Sequence, residues 1–233
     1  MFSSETGAST RETYTTDDFT YTLIDEYSKV QILSYIGSDT DVVIPDRIDN
    51  KKVTSIADSA FREKSITSVV FGQYVESIGN YAFYSCRSLS KLDFSKSSVK
   101  TIGDYAFTVC KSLESIEFPE SLESIGYAAF SAYTNCYRGS YVASSLKSVK
   151  FGGGLKSIES YAFYENRALN TVKFTGDALT SIGYRSFYNT DITELDLSGA
   201  NASIGTYAFY SCNSLRTVKL SGVNTIESGA FYG

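Results

Sequence analysis

Two hydrophobic patterns alternate along the chain from about Val53 to its C-terminus. One places Ile five residues before Phe, as in Ile78-Gly-Asn-Tyr-Ala-Phe83. The other reads Leu-x-x-Ile-x-Phe and ends in runs such as Ser148-Val-Lys-Phe151, in which polar residues alternate with β-branched or aromatic ones. This alternation is typical of a half-buried β-strand. The first segment is too short for a regular helix, so we expect a short extended piece followed by one helical turn.

The Phe that ends the first pattern recurs at a nearly constant interval, and we call it the marker Phe. Successive marker residues are separated by 22, 24, 23, 33, 24, 22 and 22 residues. The eight positions are Phe61, Phe83, Phe107, Phe130, Phe163, Phe187, Phe209 and Phe231. A period of 20 to 50 residues indicates a solenoid or a related array. Such coils cannot bury an apolar face alone, so we expect them to stack with one strand per coil, in a parallel ladder about 4.8 Å apart.

One coil carries the resemblance to a known family most clearly. From Leu113 to Phe130 it reads Leu-Glu-Ser-Ile-Glu-Phe-Pro-Glu-Ser-Leu-Glu-Ser-Ile-Gly-Tyr-Ala-Ala-Phe. This coil resembles the repeat of BspA-like (Treponema pallidum-type) leucine-rich repeat surface proteins, and the resemblance covers about Val42 to Phe231. It implies an α/β repeat solenoid, a right-handed coil with a parallel β-sheet on one face and short strands and helical turns on the other. It also implies an extracellular or cell-surface adhesion protein with no catalytic residues to carry over.

The N-terminal part departs from the repeat. Residues 1–17 are polar and rich in Ser and Thr, which predicts a flexible leader. Residues 18–52 contain two alternating runs and predict a β-hairpin cap followed by a degenerate first coil at Val42-Val-Ile-Pro45. Residues 53–233 are assigned to leucine-rich repeats with an insertion at 131–145. Because the repeats stop midway through a unit, we expect the natural protein to continue.

Composition and charge disfavour several classes of partner and activity. The formal net charge is −5, the isoelectric point is near 4.9 and Lys and Arg do not cluster, which disfavours nucleic acid or an anionic membrane as partner. No run of 18 apolar residues predicts membrane insertion, and the N-terminus does not read as a signal peptide. The chain has no His, no Cys-x-x-Cys and no phosphate-binding loop with Lys. We therefore predict a non-enzymatic protein without cofactor or metal.

Three of the four cysteines share one column of the repeat. Cys86, Cys110 and Cys212 each lie three residues after a marker Phe, and Asn166 holds the same place in another coil. Interchange of Cys with Asn predicts a buried side chain that bonds backbone groups at a turn. A disulfide between Cys86 and Cys110 remains the alternative, since these residues lie on adjacent coils. Cys136 lies inside the insertion and does not belong to this column.

Tyrosine is the most informative residue type for binding, with 19 copies and no Trp. Several Tyr fall in columns two residues before or one residue after the marker Phe. A packed ladder along the solenoid is one interpretation. The other is a contact surface, since Tyr supplies a large amphipathic area at low entropic cost.

Two groups of residues are predicted to bind a partner. In the insertion, Tyr and Arg cluster as in binding hot spots, although a neutral bulge is the alternative. Along the strands, charged side chains point outward, although mixed charge is also typical of ordinary solvated surface. The predicted residues are Tyr133, Tyr137, Arg138 and Tyr141 in the insertion and Lys91, Asp93, Glu117, Lys150, Lys173, Asp196 and Lys219 on the strands.

These residues suggest a binding protein that recognises a host or neighbouring-cell protein through an extended solenoid surface. Carbohydrate binding on the Tyr rings and a purely structural spacer for another domain are the alternative functions.

Overall fold

A computed structural model describes residues 12–133 and 141–233. In this part of the chain each regular coil contributes two short strands. In chain order the strands are β1 (Thr13–Thr15), β2 (Phe19–Ile24), β3 (Lys29–Tyr35), β4 (Asp41–Val43), β5 (Arg47–Ile48), β6 (Lys51–Ile56), β7 (Ser68–Val70), β8 (Ser77–Ile78), β9 (Lys91–Asp93), β10 (Thr101–Ile102), β11 (Ser115–Glu117), β12 (Ser124–Ile125), β13 (Ser148–Phe151), β14 (Ser157–Ile158), β15 (Thr171–Phe174), β16 (Ser181–Ile182), β17 (Glu194–Asp196), β18 (Ser203–Ile204), β19 (Thr217–Lys219) and β20 (Thr225–Ile226).

The strands form one continuous sheet and one interrupted face. The continuous sheet has 12 strands in the order β1-β2-β3-β6-β8-β10-β12-β14-β16-β18-β20, with β5 paired to β6. From β6 onward along this order its strands are parallel, and a Ser-Ile or Thr-Ile pair aligns with its equivalent in the next coil. The Leu-x-x-Ile-x-Phe strands form the other face as three separate sheets, β4-β7-β9, β11-β13-β15 and β17-β19.

The marker Phe residues form the centre of the core. Rings in successive coils, from Phe61 to Phe231, stack with centroids 4.6 to 5.3 Å apart and planes within 14° of parallel. The Ile of each Ser-Ile or Thr-Ile strand is buried beside them from Ile56 to Ile204, as is the residue before the Phe, which is Ala except at Ser186. Each coil therefore buries its apolar residues against the coils on either side, as a solenoid requires.

The predicted helical turns are wrong, because no helix occurs in the described residues. Around Phe83 the backbone is a series of turns instead, with Tyr81 at φ 55° and Ser85 at φ 60°. The N–H groups of Tyr81, Phe83 and Ser85 donate to carbonyls of the next coil at 2.7 to 2.9 Å. Because alternate N–H groups leave the coil, they cannot form the i to i−4 bonds of a helix.

The N-terminal segment adds antiparallel strands to the continuous sheet. β2 pairs antiparallel with β3, and β3 then runs parallel to β6, which starts the stack. The predicted leader up to Asp17 is wrong for Thr13–Thr15, which form β1 against β2. There the Tyr14 ring stacks on Tyr21 with a centroid distance of 5.4 Å. This aromatic contact stabilises β1 although the segment is mostly polar.

Both interruptions of the second face follow a coil with one additional residue. Ile lies seven positions after the strand Phe in most coils, as from Phe151 to Ile158, but eight positions after Phe94 and after Phe174. The sheet breaks after β9 and after β15, the strands that precede these longer connections. The added residue lengthens the path between the two strands of a coil, so the next strand is no longer in hydrogen-bonding register with it.

Candidate functional site

Two ion pairs join charged residues of neighbouring coils on the interrupted face. Lys150 binds Glu117 in the preceding coil, and Lys219 Nζ lies 2.8 Å from Asp196 Oδ2. Hydrogen bonds from Lys219 and Ser198 lower the pKa of Asp196 to about 2. Both pairs are solvent-exposed, so each contributes little to stability. These four predicted residues thus lie in the predicted place, but their charges are already partly neutralised.

The other three predicted strand residues differ in environment. Asp93 accepts a hydrogen bond from the Ser95 N–H at 2.9 Å, and the bonds to Ser95 lower the pKa of its carboxyl group. Lys91 is exposed beside it on β9. Lys173 is exposed on β15 and forms no ion pair among the described residues. The structure therefore brings the predicted strand residues together as pairs, with Lys91 and Lys173 left available.

The insertion has a well-defined base. Tyr133 and Tyr141 form an antiparallel bridge, and their ring centroids are 6.0 Å apart. The Val142 N–H donates to the Ala132 carbonyl at 2.8 Å, which closes the same ladder. Tyr137 and Arg138, the other two predicted residues, lie outside the described residues, as does Cys136. Tyr133 and Tyr141 thus lie side by side at the two ends of the connecting residues 134–140.

Side chains of the following coil hold this base in place. The Tyr133 ring meets Tyr164 edge-on at 5.5 Å, and the Arg167 guanidinium lies 4.5 Å from the Tyr141 ring centre. Arg167 Nε in turn donates to the Glu165 carboxylate at 2.7 Å. Cation–π contact and a charge-assisted hydrogen bond restrict Arg167 from two sides. Tyr141 nonetheless keeps 37% of its surface exposed.

Glu165 is a buried carboxylate that organises this region. Only 5% of the residue is exposed, and it also accepts a hydrogen bond from Asn189 Nδ2 at 2.8 Å. Burial, with Glu165 as the second cause, raises the pKa of the Tyr164 hydroxyl to about 12. Sequence reasoning missed Glu165 and Arg167. The available signal was a Glu-x-Arg pair directly after the marker Phe of the coil that follows the insertion.

The Tyr columns are packed ladders. Tyr164, Tyr188, Tyr210 and Tyr232 stack in order at 4.9 to 5.3 Å. In the column before the marker Phe, Tyr81 stacks on Tyr105 at 4.9 Å. In these stacked pairs the neighbouring rings cover each other's faces, which a sugar ring would need for stacking, whereas Tyr161 and Tyr184 meet edge-on. The geometry favours the interpretation of these columns as structural ladders over a carbohydrate platform.

The cysteine column has the predicted backbone-bonding role. Cys86 Sγ donates to the Phe61 carbonyl at 3.0 Å, and Cys110 Sγ donates to the Phe83 carbonyl at 3.2 Å. Asn166 Nδ2 makes the equivalent bond to Phe130 at 2.8 Å. Cys86, Cys110 and Cys212 are free thiols, and burial raises the pKa of Cys86 to about 12 and that of Cys110 well above its ordinary value. The raised pKa values favour the protonated thiol at Cys86 and Cys110.

Within residues 12–133 and 141–233, no group of three or more His, Cys, Asp or Glu side chains is placed to hold a metal ion. Nor does any helix in these ranges have the length and apolar character needed to cross a bilayer.

Comparison with known proteins gives matches at both the family and the structure level. The model of the BspA type leucine rich repeat region matches residues 40–138 and 134–233, with six copies. The leucine-rich repeat protein of T. pallidum has a crystal structure similar to this chain, with 26% identity, a TM-score of 0.71 and coverage of 88% of this chain and 91% of that one.

A leucine-rich cell surface protein from Faecalibacterium prausnitzii is similar at 29% identity with a TM-score of 0.75. The alignment covers 91% of this chain but 55% of that protein, so this chain spans about half of its length. No match is found among the curated proteins.

Proposed function

This chain belongs to the BspA-type leucine-rich repeat family, and we propose that it is a cell-surface or secreted adhesion protein that recognises a protein partner. Repeat proteins of this family are generally scaffolds for protein interaction, and the fold is typically non-catalytic. The related protein from F. prausnitzii is a cell surface protein, which supports the same location here. The proposed contact surface is the base of the insertion, Tyr133 and Tyr141, with the connecting residues 134–140.

The anchoring of the insertion base is the observation that carries this proposal. An inserted segment of no function needs no support, yet Tyr141 rests on Arg167, which is itself held by a buried carboxylate. Fixed aromatic side chains lose little conformational entropy on binding, so preorganisation of this kind raises affinity. Tyr and Arg are also the residues that most often dominate protein interfaces.

A protein partner is favoured over a carbohydrate by the state of the Tyr rings. The faces of the ladder rings are occupied by neighbouring rings, as between Tyr188 and Tyr210 at 4.9 Å. Tyr188, Tyr210 and Tyr232 keep part of their surface exposed, which suits mixed apolar and hydrogen-bonded contact with a protein surface. Tyr141, at the edge of the cluster, extends this surface toward the insertion.

The test is a binding screen against extracellular matrix proteins, host receptors and glycans. One variant replaces residues 134–140 with Asn-Gly, a two-residue turn that can close the Tyr133 to Tyr141 bridge without distorting the solenoid. A second variant is Tyr141→Ala, and Tyr27→Ala, an exposed Tyr elsewhere on the chain, is the matched control.

We expect a protein ligand whose affinity falls at least about tenfold in the first two variants and not in the control. Melting temperatures should stay close to that of the parent protein. A ligand that binds all four proteins equally would refute the assignment of the site, and saturable binding of a glycan alone would refute the protein partner.

A further inference from the structure

We propose that the groove between β15 and β17 binds an extended, basic segment of a partner protein. This groove is separate from the insertion and goes beyond the function proposed above. Its volume is about 960 Å³, within the range of ligand-binding clefts. The walls are formed by Thr171–Phe174 and the connection after it on one side and by Glu194–Asp196 and the residues that follow on the other.

The groove lies at the second interruption of the strand face. β15 pairs with β13, and β17 pairs with β19, but β15 and β17 do not pair with each other. A bond from the Thr193 N–H to the Asn170 carbonyl at 3.2 Å joins the two coils just before the strands begin. The two strands therefore lie side by side without a hydrogen-bonded ladder, and the groove follows their unpaired edges.

Side-chain size keeps this interruption open. At the first interruption Phe94 meets Phe118 with a centroid distance of 5.8 Å, so a ring fills the gap. At the second interruption, the residue of the next coil that is equivalent to Phe174 is Leu197. Its side chain is smaller than a Phe ring, and Phe174 remains only half-buried. The groove thus offers an apolar floor at Phe174 between two polar rims, the arrangement that an extended peptide with alternating side chains can occupy.

The charge of the lining favours a basic ligand. Asp177, Glu194 and Asp196 contribute three carboxylates, and Lys173 is the one cation among the lining residues. Asp196 is already paired with Lys219, which lies outside the groove. The remaining carboxylates, Asp177 and Glu194, are exposed and form no ion pair among the described residues. With Lys219 included, the local charge is still negative, so Lys or Arg side chains are complementary to it.

The decisive variant is a deletion of Ala178. It shortens the connection from Phe174 to Ile182 to the seven positions of the neighbouring coils while every charged residue is retained. We expect β15 to pair with β17 and the groove to close. The matched control deletes Ser98, which shortens the other long connection, from Phe94 to Ile102, in the same way.

The probe is a phage-displayed library of random peptides selected on the whole chain, followed by synthesis of the enriched peptides. We expect enriched peptides to be basic, with apolar and polar residues alternating. Deletion of Ala178 should weaken their binding at least tenfold, deletion of Ser98 should leave it unchanged, and Glu194→Lys should weaken it at least fivefold. The variant with Asn-Gly in place of residues 134–140 should bind them like the parent, so this result is independent of the insertion.

Three outcomes would overturn the proposal: no enriched peptide, acidic or neutral enriched peptides, or basic peptides that bind the Ala178 deletion as well as the parent. If the Ala178 deletion does not fold, as judged by its thermal unfolding, Glu194→Lys decides alone, since it changes an exposed side chain. Unchanged affinity for the basic peptides in Glu194→Lys would then refute a groove that selects by charge.

Discussion

The two strands of each coil belong to sheets of very different regularity. On the continuous sheet, the Ser-Ile or Thr-Ile strands of neighbouring coils pair in unbroken register from β8 to β20. On the other face, longer strands are divided into three separate sheets. Strand length therefore does not decide which side is continuous. The difference shows that one side keeps its register through every coil, while the other side is interrupted after each coil with an added residue.

Glycine explains the close contact on the continuous side. At Gly79, Gly103 and Gly126, which follow the Ile of the strand, an added Cβ would lie 2.6 to 2.8 Å from backbone atoms of the preceding coil. A side chain at these three positions would force a shift of the backbone, so Gly is favoured there, although Glu159 and Glu227 hold the equivalent place in other coils. Gly153 has only the Glu120 carboxylate at 3.1 Å and the Gly176 Cα at 3.7 Å, whereas its neighbours Gly152 and Gly154 would meet backbone atoms of the preceding coil at 2.3 to 2.4 Å.

The largest expected effect is the loss of a central ring. Phe107→Ala removes a fully buried side chain that stacks on Phe83 at 4.9 Å and on Phe130 at 5.0 Å, and should reduce the free energy of unfolding by about 3–5 kcal/mol. Phe174→Ala, at the open groove, should cost less than half as much because Phe174 is half-buried. Urea denaturation measures both. Equal losses would mean that the groove is closed in solution.

The second comparison uses the glycines of the two faces. Gly103→Ala forces the backbone of adjacent coils apart and should cost about 1–3 kcal/mol. Gly153→Ala should change the free energy of unfolding by less than about 0.5 kcal/mol, since the flexible Glu120 side chain can move. Thermal unfolding of the two variants provides the measurement. A similar loss in both would contradict the difference in packing between Gly103 and Gly153.

A smaller effect is expected in the turn segment that links the two sheets. Cys110→Ala leaves the Phe83 carbonyl without its thiol donor in a buried place and should cost about 1 kcal/mol beyond the lost volume. Cys110→Ser retains a donor at the same position and should recover part of this loss. Urea denaturation of both variants measures these changes in the free energy of unfolding. An unchanged value for Cys110→Ala would show that the hydrogen bond to the Phe83 carbonyl is not stabilising.

The smallest effect concerns the ion pairs that join strands across the interrupted face. Because the pKa of Asp196 is lowered to about 2, the pair with Lys219 stabilises the folded state above the ordinary carboxyl pKa and is lost as the pH falls through about 2. NMR titration of the Asp196 carboxyl should show this midpoint, and Lys219→Met should move it upward. A midpoint that does not respond to Lys219→Met would exclude the pair in solution.

Much of the candidate site could be placed from the sequence, but its partners could not. Tyr133 and Tyr141 follow from composition and from the long interval after Phe130. Their support by Arg167 and Glu165 depends on contact between coils, which the order of residues in one coil does not reveal. The pairing of Lys150 with Glu117 is likewise a relation between coils.

The sequence by itself determined the period, the core column of Phe and the parallel stacking, because each repeat can bury its apolar residues only against the next one. It also contained the two added residues after Phe94 and Phe174. Only the tertiary structure decided their consequences, a gap filled by Phe118 in one case and an open groove beside Leu197 in the other. It also decided that the segment before each marker Phe forms turns rather than a helix, because hydrogen bonds to the next coil replace those within the segment.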